Sequence, residues 1–211
     1  MGNFFCILEA NDEGRAELLA SMHHLRWQVF HQELQWTEGL MIRNCMEFDQ
    51  YDCAYAKYIV RINPYSQVDA CCRLIPTDKP YMLAEHYPHF IQTQPIPHDA
   101  RIWEISRVAV SKTLREQTRS RILPQLIAAM LEYGLASGID SFVSLTTDHL
   151  VPALESAGWD SAPLGKKGST PNDKCYALIQ TVSADMLMRI RPLHSIPGQL
   201  LHELDLSGFL P

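Results

Sequence analysis

Glu104 and Arg107 stand inside Arg101–Val110, a run rich in apolar and β-branched residues with neither Gly nor Pro. Such a run predicts a buried central strand. A carboxylate and a guanidinium placed there each need a partner, because an unpaired buried charge costs roughly several kcal/mol. On a plain reading the two neutralise each other or face solvent from a strand end. The chemical reading is an acid–base and anion-binding pair at a cleft in the sheet. Residues three apart on a flat strand face opposite sides, so service of one site requires a β-bulge between them.

A second set lies upstream. Met46–Asp52 carries the carboxylates Glu47, Asp49 and Asp52 interleaved with aromatics. Arg26 and Phe30 are i,i+4 in a helical stretch and share a face. Trp36 follows, and Arg73 ends a strand-like run. Taken singly, each has an ordinary structural role: Arg26 a solvated helix residue, Phe30 and Trp36 core aromatics, Asp49 and Asp52 helix caps, Arg73 a surface charge.

The elements that must position these residues follow from periodicity. Phe4–Leu8 reads as a strand. Asn11 or Asp12 caps a helix from about Glu13 to Glu33, with Leu18, Met22, Leu25, Val29 and Phe30 on its apolar stripe. That helix must end before Thr37-Glu38-Gly39. Tyr55–Asn63 and Gln67–Ile75 form a hairpin about an Asn-Pro-Tyr-Ser turn. Residues 85–100, with Pro88, Pro95 and Pro97, form a long loop. A helix from about Leu114 to Ser137 has Pro124 in its first turn or at a kink, and Gly138 as C-cap. Ile139–Thr147 is a strand, Leu150–Ser156 a short helix, Gly165–Thr170 a loop, Lys174–Val182 a strand and Ala184–Ile190 a helix. An antiparallel hairpin early and a βαβ unit late give an α/β sandwich with a mixed sheet.

The chain of 211 residues is long enough for one well-buried core, and its 46% hydrophobic and 20% charged content is that of a globular domain. A net charge of −6 argues against nucleic acid or an anionic membrane as a partner. No apolar run approaches a membrane span. The first residues show no basic segment followed by an apolar one, so a cytoplasmic location is expected. Residue 6 is Cys, against myristoylation at Gly2. Six cysteines without a CxxC pair predict free thiols, and nine scattered histidines predict no metal site. We read one domain over residues 1–190 and a tail, 191–211, without an assigned role.

Placed in order, these pieces resemble the acyl-homoserine-lactone synthases, the LuxI-type autoinducer synthases. The resemblance rests on Arg26-x3-Phe30-x5-Trp36, then Glu47-x-Asp49-x2-Asp52. Arg73 follows, with Leu74-Ile75-Pro76-Thr77 and Pro80-Tyr81-Met82-Leu83 behind it, and then Trp103-Glu104-x-Ser106-Arg107. It covers residues 20–110 closely and 111–180 loosely. One departure is Ala70-Cys71-Cys72 before Arg73, where the family often has Gly and an aromatic.

The resemblance implies the fold of the GCN5-related N-acetyltransferases, a three-layer α/β/α sandwich with a mixed, mostly antiparallel central sheet. It also implies a reaction between S-adenosylmethionine, a substrate and not a bound cofactor, and an acyl thioester. The amine attacks the thioester, and the methionyl carboxylate then closes onto its γ-carbon, expelling methylthioadenosine. A sulfonium wants carboxylates and aromatic faces, and a carboxylate wants arginine. On that basis Arg26, Phe30, Trp36, Asp49, Asp52 and Arg73 are expected to bind S-adenosylmethionine. Glu104 is the expected general base, with Arg107 beside it, and amides freed by a bulge are the expected oxyanion donors.

The acyl chain needs an apolar pocket, for which Met82, Leu83, Val108, Leu126, Met130 and Val143 are candidates. Ser144 and Thr146 share one strand face. The family associates a hydroxyl near there with a 3-oxo or 3-hydroxy acyl group, and Thr146 is the chosen residue. Lys112, Arg115, Arg119 and Arg121 against Glu116 give a local charge of +3, and Lys166 and Lys167 add a second basic spot. With no glycine in Ser111–Arg121, these suit an acidic acyl-carrier protein better than coenzyme A. The runner-up reading is an N-acyltransferase using acyl-coenzyme A. A third is a catalytically silent ligand-binding domain of the same fold.

Overall fold

The computed structural model of the chain describes residues 3–36, 39–171 and 173–202. Strand β1 (Phe4–Glu9) leads through a turn at Glu13–Arg15 into α1 (Ala16–Arg26), which continues as a π-type coil over Trp27–Glu33. The expected cap does not form. Asp12 instead pairs with Arg15 at 3.1 Å, and the α-helix starts a turn late. The helical run ends at Glu33, before Thr37-Glu38-Gly39 as expected.

A small hairpin, β2 (Met41–Arg43) and β3 (Met46–Phe48), precedes the main one, β4 (Lys57–Ile62) and β5 (Val68–Pro76). The Asn63 side chain accepts the backbone N–H groups of Tyr65 and Gln67, which closes the turn. Helix α2 (Met82–His86) and a short turn at Pro88–Phe90 occupy the start of the expected loop. Strand β6 (Ile102–Val110) is followed by α3 (Glu116–Ser137), β7 (Ser141–Thr147) and α4 (Val151–Ala157). Strands β8 (Ser161–Pro163), β9 (Gly168–Ser169) and β10 (Lys174–Thr181) and helix α5 (Ala184–Leu193) complete the order. Gly138 ends α3 at φ +68°, a conformation that costs glycine nothing. Pro124 sits inside α3 and not in its first turn.

The sheet runs β1-β4-β5-β6-β7-β10-β8, with β9 beside β10. Neighbours are antiparallel except β6 and β7, the parallel pair that a βαβ crossover requires. One face packs Tyr58, Val60 and Cys71 under α1, and the other packs Ile59, Cys72 and Leu74 under α3. Adjacent Cys71 and Cys72 thus lie in opposite cores, as strand alternation dictates. All six cysteines are free, and burial pushes the Cys6 and Cys71 thiols up to about 12. The tail folds back on the sheet: Leu201 bridges Phe5, and the Glu132 carboxylate accepts the N–H groups of Leu200 and Leu201.

The site owes its existence to one feature of this sheet. Strands β6 and β7 pair only over Ile102–Ile105 and Ser141–Ser144. Beyond those residues they part, and β6 is kinked at the point of divergence. Among the described residues no helix is long and apolar enough to cross a membrane.

Candidate active site

The kink is the expected bulge. Across the ladder Arg73 faces Ser106 and Cys71 faces Ala109, so Arg107 and Val108 together oppose Cys72. Arg107 takes φ +53°, the left-handed region that costs a non-glycine residue roughly 1–2 kcal/mol. The extra residue turns the Arg107 side chain to the side already occupied by Glu104. The Arg107 guanidinium lies 3.7 Å from the Met82 sulfur, and the Glu104 carboxylate accepts the Met82 backbone N–H at 3.3 Å.

Three arginines and three carboxylates interlock there. Arg26 donates to Glu47 at 2.5 Å and to both oxygens of Asp52 at 2.7 and 2.9 Å. Arg73 pairs with Asp49, reaches Asp52 at 3.1 Å, and donates Nε–H to Ser106. Arg107 spans Glu47 at 3.1 Å and Asp49 at 2.6 Å. Tyr58 adds its hydroxyl to Asp52 at 2.9 Å, and the backbone N–H of Asp49 adds another bond. The six charges cancel, which is what permits their burial. Burial works to raise the Asp49 and Asp52 carboxyls, but the arginines win. Arg73 and Arg107 hold Asp49 below its ordinary value, and Arg26 and Arg73 hold Asp52 far below.

Glu104 is different. It is fully buried, makes no ion pair among the described residues, and accepts the Leu83 N–H at 2.7 Å as well as that of Met82, the first N–H groups of α2. Burial pushes its pKa from the ordinary 4.5 to about 7, against the pull of Arg73. A carboxyl poised near neutrality is what a general base requires.

Two cavities meet beside this cluster. The first, about 390 Å³, is walled by Trp36, Asp49, Tyr51, Tyr87 and Arg107. The second, about 440 Å³, enters the gap between β6 and β7 and is mostly apolar, with Phe30, Val108, Leu123, Met130 and Leu154 in its wall. Trp36, Met82, Arg107, Leu145, Thr147 and Asp173 line both. Phe30 stacks on Trp36 with centroids 5.0 Å apart, and the Arg107 guanidinium lies 5.5 Å above the Phe30 ring. Among the described residues no group of three His, Cys, Asp or Glu is placed to hold a metal ion.

The expected ligand-binding residues divide into two tiers. Phe30, Trp36 and Asp49 reach a cavity wall, whereas Arg26, Asp52 and Arg73 reach neither. Arg26 and Arg73 have no exposed surface. Arg26 spends its donors on Glu47 and Asp52, and Arg73 pairs with Asp49 and Asp52 through Nη1 while its Nη2 has no hydrogen-bond partner among the described residues, so both hold the wall from behind. Met82, Val108, Met130, Ser144 and Thr146 line the apolar cavity. Leu83, Leu126 and Val143 do not: Leu126 packs in the α3 core, and Leu83 and Val143 in the α1 core. Glu104 also lies off the walls, beneath Met82. Of the basic residues, Arg119 lines the apolar cavity beside His149 and pairs with Glu116 at 2.5 Å. Lys112 pairs with Glu33 at 3.0 Å and Lys167 with Asp148 at 2.6 Å, while Arg115, Arg121 and Lys166 are exposed.

Sequence reasoning gives no role to Glu47, which has no exposed surface and links Arg26 to Arg107. Its signal is nonetheless present, since it stands two residues before Asp49 and shares its side of an extended segment. Gln180 and Asp173 carry no such signal. Gln180 donates to Ser144 at 2.9 Å in the apolar cavity, where Ser144 also bonds Thr146.

The family model described as autoinducer synthase matches residues 10–190. An acyl-homoserine-lactone synthase of Aliivibrio fischeri is 36% identical over 125 residues, 58% of this chain; the match spans 64% of that relative's length. The structure of a CoA-dependent acyl-homoserine lactone synthase, BjaI, with SAM and isopentyl-CoA superposes with a TM-score of 0.86. It is 27% identical, covering 95% of this chain and 93% of that one. An N-acetyltransferase structure from Lactobacillus plantarum, 16% identical with a TM-score of 0.58 over 87% of this chain and all of that one, shares the fold.

Proposed function

The chain belongs to the autoinducer synthase family, and from that membership we propose that it makes an N-acyl-homoserine lactone from S-adenosylmethionine and an acyl thioester. The observation that carries this reading is Glu104, a buried carboxyl held near neutrality directly beneath Met82, a residue that lines both the aromatic cavity and the apolar one. S-adenosylmethionine occupies the first cavity, with its adenosine and sulfonium against Trp36 and Tyr51 and its carboxylate toward Arg107. The acyl chain enters the gap between β6 and β7.

Glu104 takes a proton from the α-ammonium, directly or through one water. The free amine attacks the thioester carbonyl, and the bulge at Arg107 and Val108 turns backbone amides toward the oxyanion. Collapse breaks the carbon–sulfur bond of the thioester; of the two protons the nitrogen gives up in becoming an amide, one reaches the departing thiolate through Glu104 and the other passes to solvent. The methionyl carboxylate then attacks its own γ-carbon. The electron pair of the broken bond moves onto the sulfonium sulfur, which leaves as neutral methylthioadenosine. No side-chain nucleophile is needed. The Ser144–Thr146–Gln180 cluster supports an acyl chain bearing an oxygen at the 3-position, with Thr146 as its partner.

For the donor we propose acyl-carrier protein in the cytoplasm, drawn by exposed Arg115, Arg121 and Lys166. Arg119 and His149 at the apolar cavity suit a phosphate, a group that carrier protein and coenzyme A both bring. The runner-up donor, acyl-coenzyme A, draws support from the likeness to BjaI, a CoA-dependent enzyme. Initial rates with each donor at matched acyl chain separate the two. A kcat/KM at least tenfold higher for carrier protein is expected, and the reverse order overturns the assignment.

A further inference from the structure

The charges that face the two cavities single out Asp173. Among the described residues, the carboxylates that line either cavity are Asp49 and Asp173. Asp49 is spent on Arg73 and Arg107. Among the same residues Asp173 has no arginine or lysine side chain as partner: it accepts the backbone N–H of Lys174 at 2.7 Å, and His149 approaches only to 4.0 Å. It lines both cavities, on the β7–β10 side, with Thr147, Thr170 and Cys175 as its neighbours in the first.

Two carboxyls near these cavities thus have no arginine or lysine partner among the described residues: Asp173 on the wall, and Glu104, which lies beneath Met82 and accepts only the Met82 and Leu83 N–H groups. On the function proposed above, Glu104 must take the α-ammonium, because that is the proton to be removed. We infer that Asp173 is the counter-charge to the sulfonium, a substrate-binding residue that fixes the γ-carbon for ring closure. The aromatic walls Trp36 and Tyr51 share the sulfonium through their faces. Once the C–S bond breaks, the sulfur is neutral and the attraction disappears, so the same carboxylate that holds the substrate ceases to hold the thioether product.

The test uses calorimetric binding of S-adenosylmethionine and of S-adenosylhomocysteine, which keeps the α-ammonium but has a neutral sulfur. Asp173→Asn preserves the turn, whose Thr170 bonds go to the Asp173 backbone, and an amide oxygen can still accept from Lys174. The variant is expected to lose about tenfold in affinity for S-adenosylmethionine, the order of one charge pair at a part-exposed site. Its affinity for S-adenosylhomocysteine should change less than twofold, and Asp173→Glu should restore part of the preference. Equal losses for both ligands, or none, overturn the inference while leaving the proposed function standing. A wild-type protein that binds neither ligand overturns the function, and the inference with it.

Discussion

Replacing Glu104 by Gln should change stability in a pH-dependent way. The side chain is fully buried, and its pKa is raised by burial from 4.5 to about 7. For a carboxyl whose folded pKa lies above its unfolded one, stability is fully present below the unfolded pKa. It is lost as pH rises through the folded value. At about 1.36 kcal/mol per pKa unit, the interval from 4.5 to about 7 corresponds to roughly 3 kcal/mol. Gln carries no charge to ionise and still offers an oxygen to the Leu83 N–H. Other titrating groups are common to both proteins and cancel in the comparison. Between pH 5 and pH 8 the variant should therefore gain about 2–3 kcal/mol relative to wild type, or roughly 4–12 °C in relative Tm for a chain this long. Urea unfolding of both proteins at the two pH values measures it. A stability difference that stays constant with pH refutes the claim that this carboxyl titrates near neutrality. Turnover should move the opposite way: wild-type activity rises as pH passes 7, and the variant loses about 100-fold or more.

Arg26→Ala should act on the fold more than on a substrate, because it strands the buried Glu47 and Asp52; urea unfolding should show a loss of about 3–5 kcal/mol. Normal stability with impaired binding would mean that Arg26 reaches the ligand after all. Val108→Phe fills part of the wall of the apolar cavity and should shift product profiles by mass spectrometry toward shorter acyl chains. Reversing the charge of exposed Arg115 and Arg121 should raise the KM for acyl-carrier protein several-fold and flatten its salt dependence. The KM for S-adenosylmethionine should be unchanged, since rim charges act mainly on encounter.

Much of this site is legible in the amino-acid sequence. The need for a bulge follows from two charges three apart in an apolar strand, and the ladder slips at that place. The hairpin, the Gly138 cap and the opposed cysteines follow from local chemistry and the period of a strand. What local pattern does not carry is which charges meet. Arg26 and Arg73 look like ligand-binding arginines because a sequence shows a charge without its partner, and only the packing of α1 on β3 and β5 pairs them with carboxylates. Leu126 and Val143 have the right apolarity for a pocket but fall in cores on either side of it. The β6–β7 gap that opens the apolar cavity is a property of several strands together, so Gln180 and Asp173 carry no mark in their own neighbourhoods.

The proposed activity requires one active site to form an amide and then close a ring. Free thiol and methylthioadenosine can be quantified together during turnover of purified protein with S-adenosylmethionine and an acyl thioester. Equal amounts, released together and matched by an acyl-homoserine lactone in the mass spectrum, are predicted. Thiol release without methylthioadenosine would make the protein an amine acyltransferase that lacks the ring-closing step, and would contradict the proposed function.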